Sequence, residues 1–165
     1  MHKNLKSLVN LLPMIAVGIL GFSSISQAQE KTIRIGLLYP ISGPGSYFGV
    51  MGREGTDLAI EQINKTGING YKFVVDYQDS QCSPLAATNV VKMTLENFKP
   101  HIVVGEECSD ATLAVAPILE EAKVPLLNAG SATMKLTESG YKYAFRIFPN
   151  ARQQTDSLAV NAVRK

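Results

Sequence analysis

Residues 33–49 read Ile-Arg-Ile-Gly-Leu-Leu-Tyr-Pro-Ile-Ser-Gly-Pro-Gly-Ser-Tyr-Phe-Gly. Ile33 to Tyr39 is a short apolar run of the kind buried in a parallel sheet. A loop of Gly, Pro and Ser follows. Gly49 to Asn64 then sets Leu58, Ile60 and Ile63 among charges at helical spacing. The unit is strand, small-residue loop, helix, and the fold depends on whether that alternation continues.

It continues to the end of the chain. Gly67 and Gly70 close the helix, and Tyr71 to Tyr77 (YKFVVDY) predicts a second strand. Ser83 as N-cap with Pro84 at the first helical position opens a helix from Pro84 to Phe98, and Pro100 marks the next turn. Ile102 to Val104 is a third strand, Asp110 to Lys123 a third helix, Pro125 to Leu127 a fourth strand, Tyr143 to Phe148 a fifth, and Ala151 to Val163 a last helix. This alternation predicts an α/β fold, an open parallel sheet with helices on both faces. In such sheets ligands bind outside the carboxyl ends of the strands, so the loops to search are Ile41–Gly49, Gly105–Thr112 and Asn128–Thr137, all rich in small and hydroxyl residues.

The 165 residues, 45% hydrophobic and 18% charged, suit one globular domain, and a net charge of +2 excludes a phosphate-backbone binder. The start is set apart. Met1 to Lys6 is basic, a mainly apolar run spans Leu8 to Phe22, and Ser26 and Ala28 are small, which predicts a secretory signal peptide over residues 1–28 cut before Gln29. Asn10 and Pro13 interrupt the run, which is short for a membrane span of ~20 residues. Removing the leader takes Lys3 and Lys6 and leaves bases and acids equal. The mature chain, 29–165, is expected in the periplasm, with neither nucleic acid nor an anionic membrane surface as partner.

The remaining chemistry is sparse. The glycines at 43 and 45 are followed by Phe48 where a dinucleotide loop needs its third glycine, and no Gly-Lys-Ser/Thr phosphate loop occurs. Cys82 and Cys108 follow the second and third strands and, in an oxidising compartment, are expected to form a disulfide, with two free thiols as the alternative. His101, the sole mature histidine, lies at the far end of its strand from those loops, so no metal or other cofactor is expected. No nucleophile–base pair suggests an enzyme.

The series Ile41-Ser-Gly-Pro44, Phe48-Gly49, Gly52, Gly55, Asp57, Ala59, Ile63-Asn64, Gly67, Gly70, Cys82, Gly105-x-x-Cys108-Ser109 and Leu136-Thr137 resembles the leucine/isoleucine/valine-binding proteins. These are type I periplasmic solute-binding proteins of ABC transporters. The resemblance covers residues 31–165 and corresponds to the N-terminal part of the family, whose two α/β lobes trap a ligand in the cleft between them. The chain stops at Lys165 where the family enters its hinge, so the second lobe is expected to be absent. The resemblance implies an amino-acid receptor of an ABC importer, a monomer that meets permease subunits through the complete receptor. A ligand-sensing regulatory module, a non-functional truncated lobe and a flavodoxin-like enzyme are the other readings.

Site residues follow from the same resemblance. Ser109 is expected to donate its hydroxyl and N–H to an amino acid's carboxylate at the start of the third helix, where partial positive charge favours an anion; a plain N-cap is the alternative. The carbonyl of Gly130 is placed to take the ammonium. Ala132 stands where the family has Thr, leaving Ser131 or Thr133 to supply a hydroxyl. Phe48 matches an aromatic that lines the side-chain pocket, with Tyr47 as a second candidate and burial in the core as the alternative. Glu107 replaces an apolar residue, and if it enters the pocket it disfavours leucine and favours a polar or cationic ligand.

Overall fold

The computed structural model describes residues 31–164. The expected leader and its cleavage point lie outside the described residues. The elements are β1 (Lys31–Tyr39), α1 (Ser46–Thr66), β2 (Tyr71–Asp79), α2 (Pro84–Asn97), β3 (Ile102–Gly105), α3 (Ser109–Ala122), β4 (Leu126–Asn128), α4 (Lys135–Glu138), β5 (Ala144–Arg146) and α5 (Ala151–Val163). All five strands are parallel, in the order β2-β1-β3-β4-β5. The chain leaves β1 towards one edge to make β2, then returns to place β3 on the other side. That reversal lies between β1 and β3, where the connections leaving the strands part to opposite faces and open a crevice.

Alternate β1 residues serve opposite faces. On one, Leu38 joins Val103 and Leu126 of the neighbouring strands beneath Ala87 and Val91 of α2 and Ala111, Val115, Ala116 and Leu119 of α3, all buried. Each fully buried Leu or Val there contributes roughly 1.5–3 kcal/mol. On the other, Tyr39 packs against α1 at Gly52, and Arg53 of α1 lies over the Tyr77 ring, 4.7 Å from its centre. Two glycines make the layers fit. A β-carbon at Gly49 would strike the Pro40 carbonyl, so α1 can press against the end of β1, and one at Gly105 would strike the Leu38 carbonyl at the close of β3.

Local chemistry accounts for most boundaries. Ser83 caps α2 by accepting the Ala86 N–H, with Pro84 in the first turn. Asn150 and Gln153 form a reciprocal capping box that starts α5. Helix α1 starts three residues earlier than its apolar spacing suggests, because Gly45 serves as N-cap and Ser46 to Phe48 are helical although exposed or only half-buried. The fifth strand shrinks from 143–148 to Ala144–Arg146 because β4 offers it only three partners. The short α4, whose buried Leu136 enters the core, was not expected. No described helix is long and apolar enough to cross a membrane.

Candidate functional site

The loop after β1 is tied to the end of β2 by one carboxylate. Asp79 Oδ1 accepts the N–H groups of Ile41 (2.8 Å), Ser42 (3.2 Å) and Gln81 (2.9 Å), and Oδ2 accepts the Ser42 hydroxyl at 2.6 Å. Burial alone would raise its pKa, but these four bonds outweigh that and hold the carboxyl below its ordinary value. The adjoining loop is joined to the next by the disulfide Cys82–Cys108, with 5.4 Å between the α-carbons. The expected pairing is present.

The loops after β3 and β4 meet around Glu106. Its backbone carbonyl accepts Ser131 N–H (3.1 Å) and Asn128 Nδ2 (3.1 Å) from the β4 side. Its side chain is fully buried, and Oε1 accepts the N–H groups of Glu107 and Cys108 at 3.1 and 3.0 Å. Burial pushes its pKa up, opposed by the neighbouring Ser80 hydroxyl and those two N–H groups and assisted by the charge of Glu107. Ser80 Oγ and Glu106 Oε2 lie close without completing a hydrogen bond of good geometry. Across the same junction Ser131 Oγ donates to Ser109 Oγ at 3.2 Å. Arg146, from β5, holds the β4 loop by donating to the carbonyls of Ser131 (2.8 Å), Thr133 and Phe148 (3.3 Å).

These loops surround an open hollow of about 430 Å³ at the carboxyl edge of the sheet, lined by Pro44, Gly45, Phe48, the disulfide, Glu107, Gly130 and Phe148. Glu107 turns into it. Its carboxylate lies against Gly130 so closely that a β-carbon there would overlap it. Burial raises its pKa. A second, more open hollow of about 580 Å³ between β5 and α5 shares Phe148 but holds none of the expected site residues.

Of those residues, Phe48, Glu107 and Gly130 line the hollow, and Ser109 and Ser131 are joined to each other. Ala132 and Thr133 offer backbone carbonyls, to the Ala151 N–H and to Arg146. Tyr47 stands outside, 70% exposed, edge-on to Phe48 at 5.5 Å. Two alternatives are corrected. Phe48 is not core: it is 63% exposed, because its turn of α1 overhangs the edge of the sheet. Ser109 is not the N-cap of α3. Cys108 takes that place with extended backbone and no side-chain cap, and Ser109 is the first helical residue, one before the expected start. His101 sits at the opposite end of the sheet, its Nδ1 accepting the Arg34 N–H at 3.0 Å.

Asp79, Glu106, Arg146 and Phe148 escaped the sequence reading. Glu106 had a local signal, an acid directly continuing the apolar run Ile-Val-Val-Gly at 102–105. Arg146 had none, since the loop carbonyls it ties down at Ser131 and Thr133 are more than ten residues away.

The periplasmic binding protein family matches residues 32–165. The leucine-, isoleucine-, valine-, threonine- and alanine-binding protein of Pseudomonas aeruginosa is 37% identical over 132 residues, covering 79% of this chain and 35% of that protein. Among solved structures, the branched-chain amino acid transporter substrate-binding protein LivJ of Streptococcus pneumoniae, in complex with isoleucine, is 30% identical with a TM-score of 0.69 over 73% of this chain and 34% of its own. A solute-binding protein of an ABC transporter from Rhodopseudomonas palustris, in complex with p-hydroxybenzoic acid, is 28% identical with a TM-score of 0.72 over 81% of this chain and 36% of its own. The chain spans about a third of the length of the curated relatives it matches. With a parallel sheet of this order and a family match over nearly all its described residues, the chain belongs to the periplasmic binding proteins.

Proposed function

We propose that this chain is the first lobe of an extracytoplasmic receptor that binds an amino acid for uptake through an ABC permease. The observation that carries this reading is the hollow at the carboxyl edge, bounded by loops that follow β1, β3 and β4 and lie beside the start of α3. In it, residues 1–28 are a cleaved leader and residues 29–165 form one lobe of a receptor that is monomeric in the periplasm. The amino acid's carboxylate lies at the first turn of α3, where N–H groups without helical partners and the helix dipole attract an anion. Ser109 adds its hydroxyl, already oriented by Ser131. The Gly130 carbonyl takes the ammonium, with Ala132 and Thr133 completing that loop, and Phe48 flanks the ligand's side chain with Tyr47 behind it. A site open on one side buries less of its ligand than the 70–90% usual for such pockets. A second lobe closing over it supplies the rest and creates the surface that a permease reads. No covalent step is involved.

Relatives named for leucine, isoleucine and valine support this reading. The test is calorimetric titration of the gene's exported product with a panel of L-amino acids and with p-hydroxybenzoate. Amino-acid binding that Ser109→Ala weakens by about 1–3 kcal/mol, the worth of a hydrogen bond to a charged group, is the expected result. Unchanged affinity removes Ser109 from the site. Binding of p-hydroxybenzoate and of no amino acid replaces the solute class.

A further inference from the structure

Glu107 is out of keeping with its surroundings. The hollow it enters is otherwise walled by the rings of Phe48 and Phe148, by Pro44 and Gly45, and by the disulfide. Its carboxylate makes no hydrogen bond or ion pair with any described residue. The ion pairs among the described residues are Arg53–Asp57 and Lys65–Glu61, both within α1. Arg146, a cation two strands away on β5, donates its terminal nitrogens to the carbonyls of Ser131, Thr133 and Phe148. Nor is the side chain free to swing out of the site without consequence, since it fills the space that Gly130 leaves by having no β-carbon.

An aliphatic group entering this hollow would strip the remaining water from the carboxylate and return nothing to it, which is costly. A cationic group would instead pair with it, and two aromatic rings nearby add attraction for a cation. We propose that Glu107 is the specificity-determining residue of the hollow and selects an amino acid whose side chain ends in an ammonium or guanidinium group over one with an aliphatic side chain. This rests on the amino-acid reading of the site. It goes further in making the solute cationic, where the curated relatives are named for uncharged amino acids such as leucine, isoleucine and valine.

L-Lysine and L-norleucine form a matched pair: the α-groups and the four side-chain carbons are the same, and the terminal ammonium is the difference. Both are titrated into the gene's exported product as wild type, Glu107→Gln and Glu107→Leu, with calorimetry or NMR line shifts as the readout. The wild type is expected to bind lysine about tenfold or more tighter than norleucine. Glu107→Gln, nearly the same in shape, is expected to bring the ratio close to one, and Glu107→Leu to reverse it. Circular dichroism of each variant checks the fold, and Glu107→Gln alone suffices if the leucine variant does not fold. A wild type that prefers norleucine, or a ratio that Glu107→Gln leaves unchanged, overturns the inference while the amino-acid reading stands. Binding of neither amino acid, with none bound in the wider panel, overturns both.

Discussion

Asp79 shows how much one carboxylate can organise. Four donors from two loops converge on it, and they come from residues 38 and 37 positions back and two positions ahead. Asp79→Ala is expected to cost about 1–2 kcal/mol at neutral pH by leaving those donors to weaker water contacts. Because folding depresses this carboxyl below its ordinary value of 3.8, the stability it supplies is present above that pH and is lost as pH falls through the lower folded value. Denaturation of wild type and Asp79→Ala across pH 2–6 should therefore show the gap narrowing at the acid end. A constant gap would mean that the charge on Asp79 contributes nothing. The residue had no signature of its own, since an acid after an apolar strand is ordinary, and only the approach of the Ile41–Ser42 backbone gives it a role.

At the scale of elements, strands and helices were largely legible because their signals are local. Ser83-Pro84 marks the start of α2, and periodic apolar residues mark the body of α1. What escaped depended on neighbours. The N-cap of α3 passed from Ser109 to Cys108 because the end of β3 and the disulfide hold Cys108 in extended backbone. That bridge links the loop after β2 to the start of α3 and closes a loop with a sequence separation of 26 residues. Replacing both cysteines by serine is expected to lower stability by about 2–4 kcal/mol in urea denaturation, with the slope m altered because the unfolded chain is less constrained. A loss below about 0.5 kcal/mol would show that the bridge does not constrain the unfolded chain appreciably.

Over the whole molecule, the two faces of the sheet differ. The side under α2 and α3 carries a continuous core, whereas beyond α1 the other side leaves Phe145 52% and Ile147 70% exposed, and no residue of α5 is buried. With so modest a core, one buried charge has a visible effect on global stability. Burial raises the Glu106 pKa above the ordinary value of 4.5, so its contribution is fully present below that pH and declines as pH rises through the raised value. Glu106→Gln keeps the acceptor for the Glu107 and Cys108 N–H groups and removes the charge. Its stability relative to wild type is expected to grow as pH rises from 4.5 towards neutrality, as read from thermal midpoints. A difference that shrinks with pH would show that the ionised carboxylate is favoured there.

The alternation of the five strands with the longer helices, the parallel sheet and the pairing of Cys82 with Cys108 could all be read from the chain alone, whereas the short α4 could not. Those features rest on periodicity and on small-residue loops, whose physics acts over a few residues, and on the scarcity of cysteine. Tertiary structure decided that Phe48 overhangs the edge instead of filling the core and that Glu106 is buried while Glu107 turns into the hollow. It also decided that Asp79 and Arg146 hold the loops. Adjacent acids in a sequence look equivalent. They part only where β3 ends, leaving the Glu106 side chain buried against the Glu107 and Cys108 N–H groups and the Glu107 side chain over Gly130.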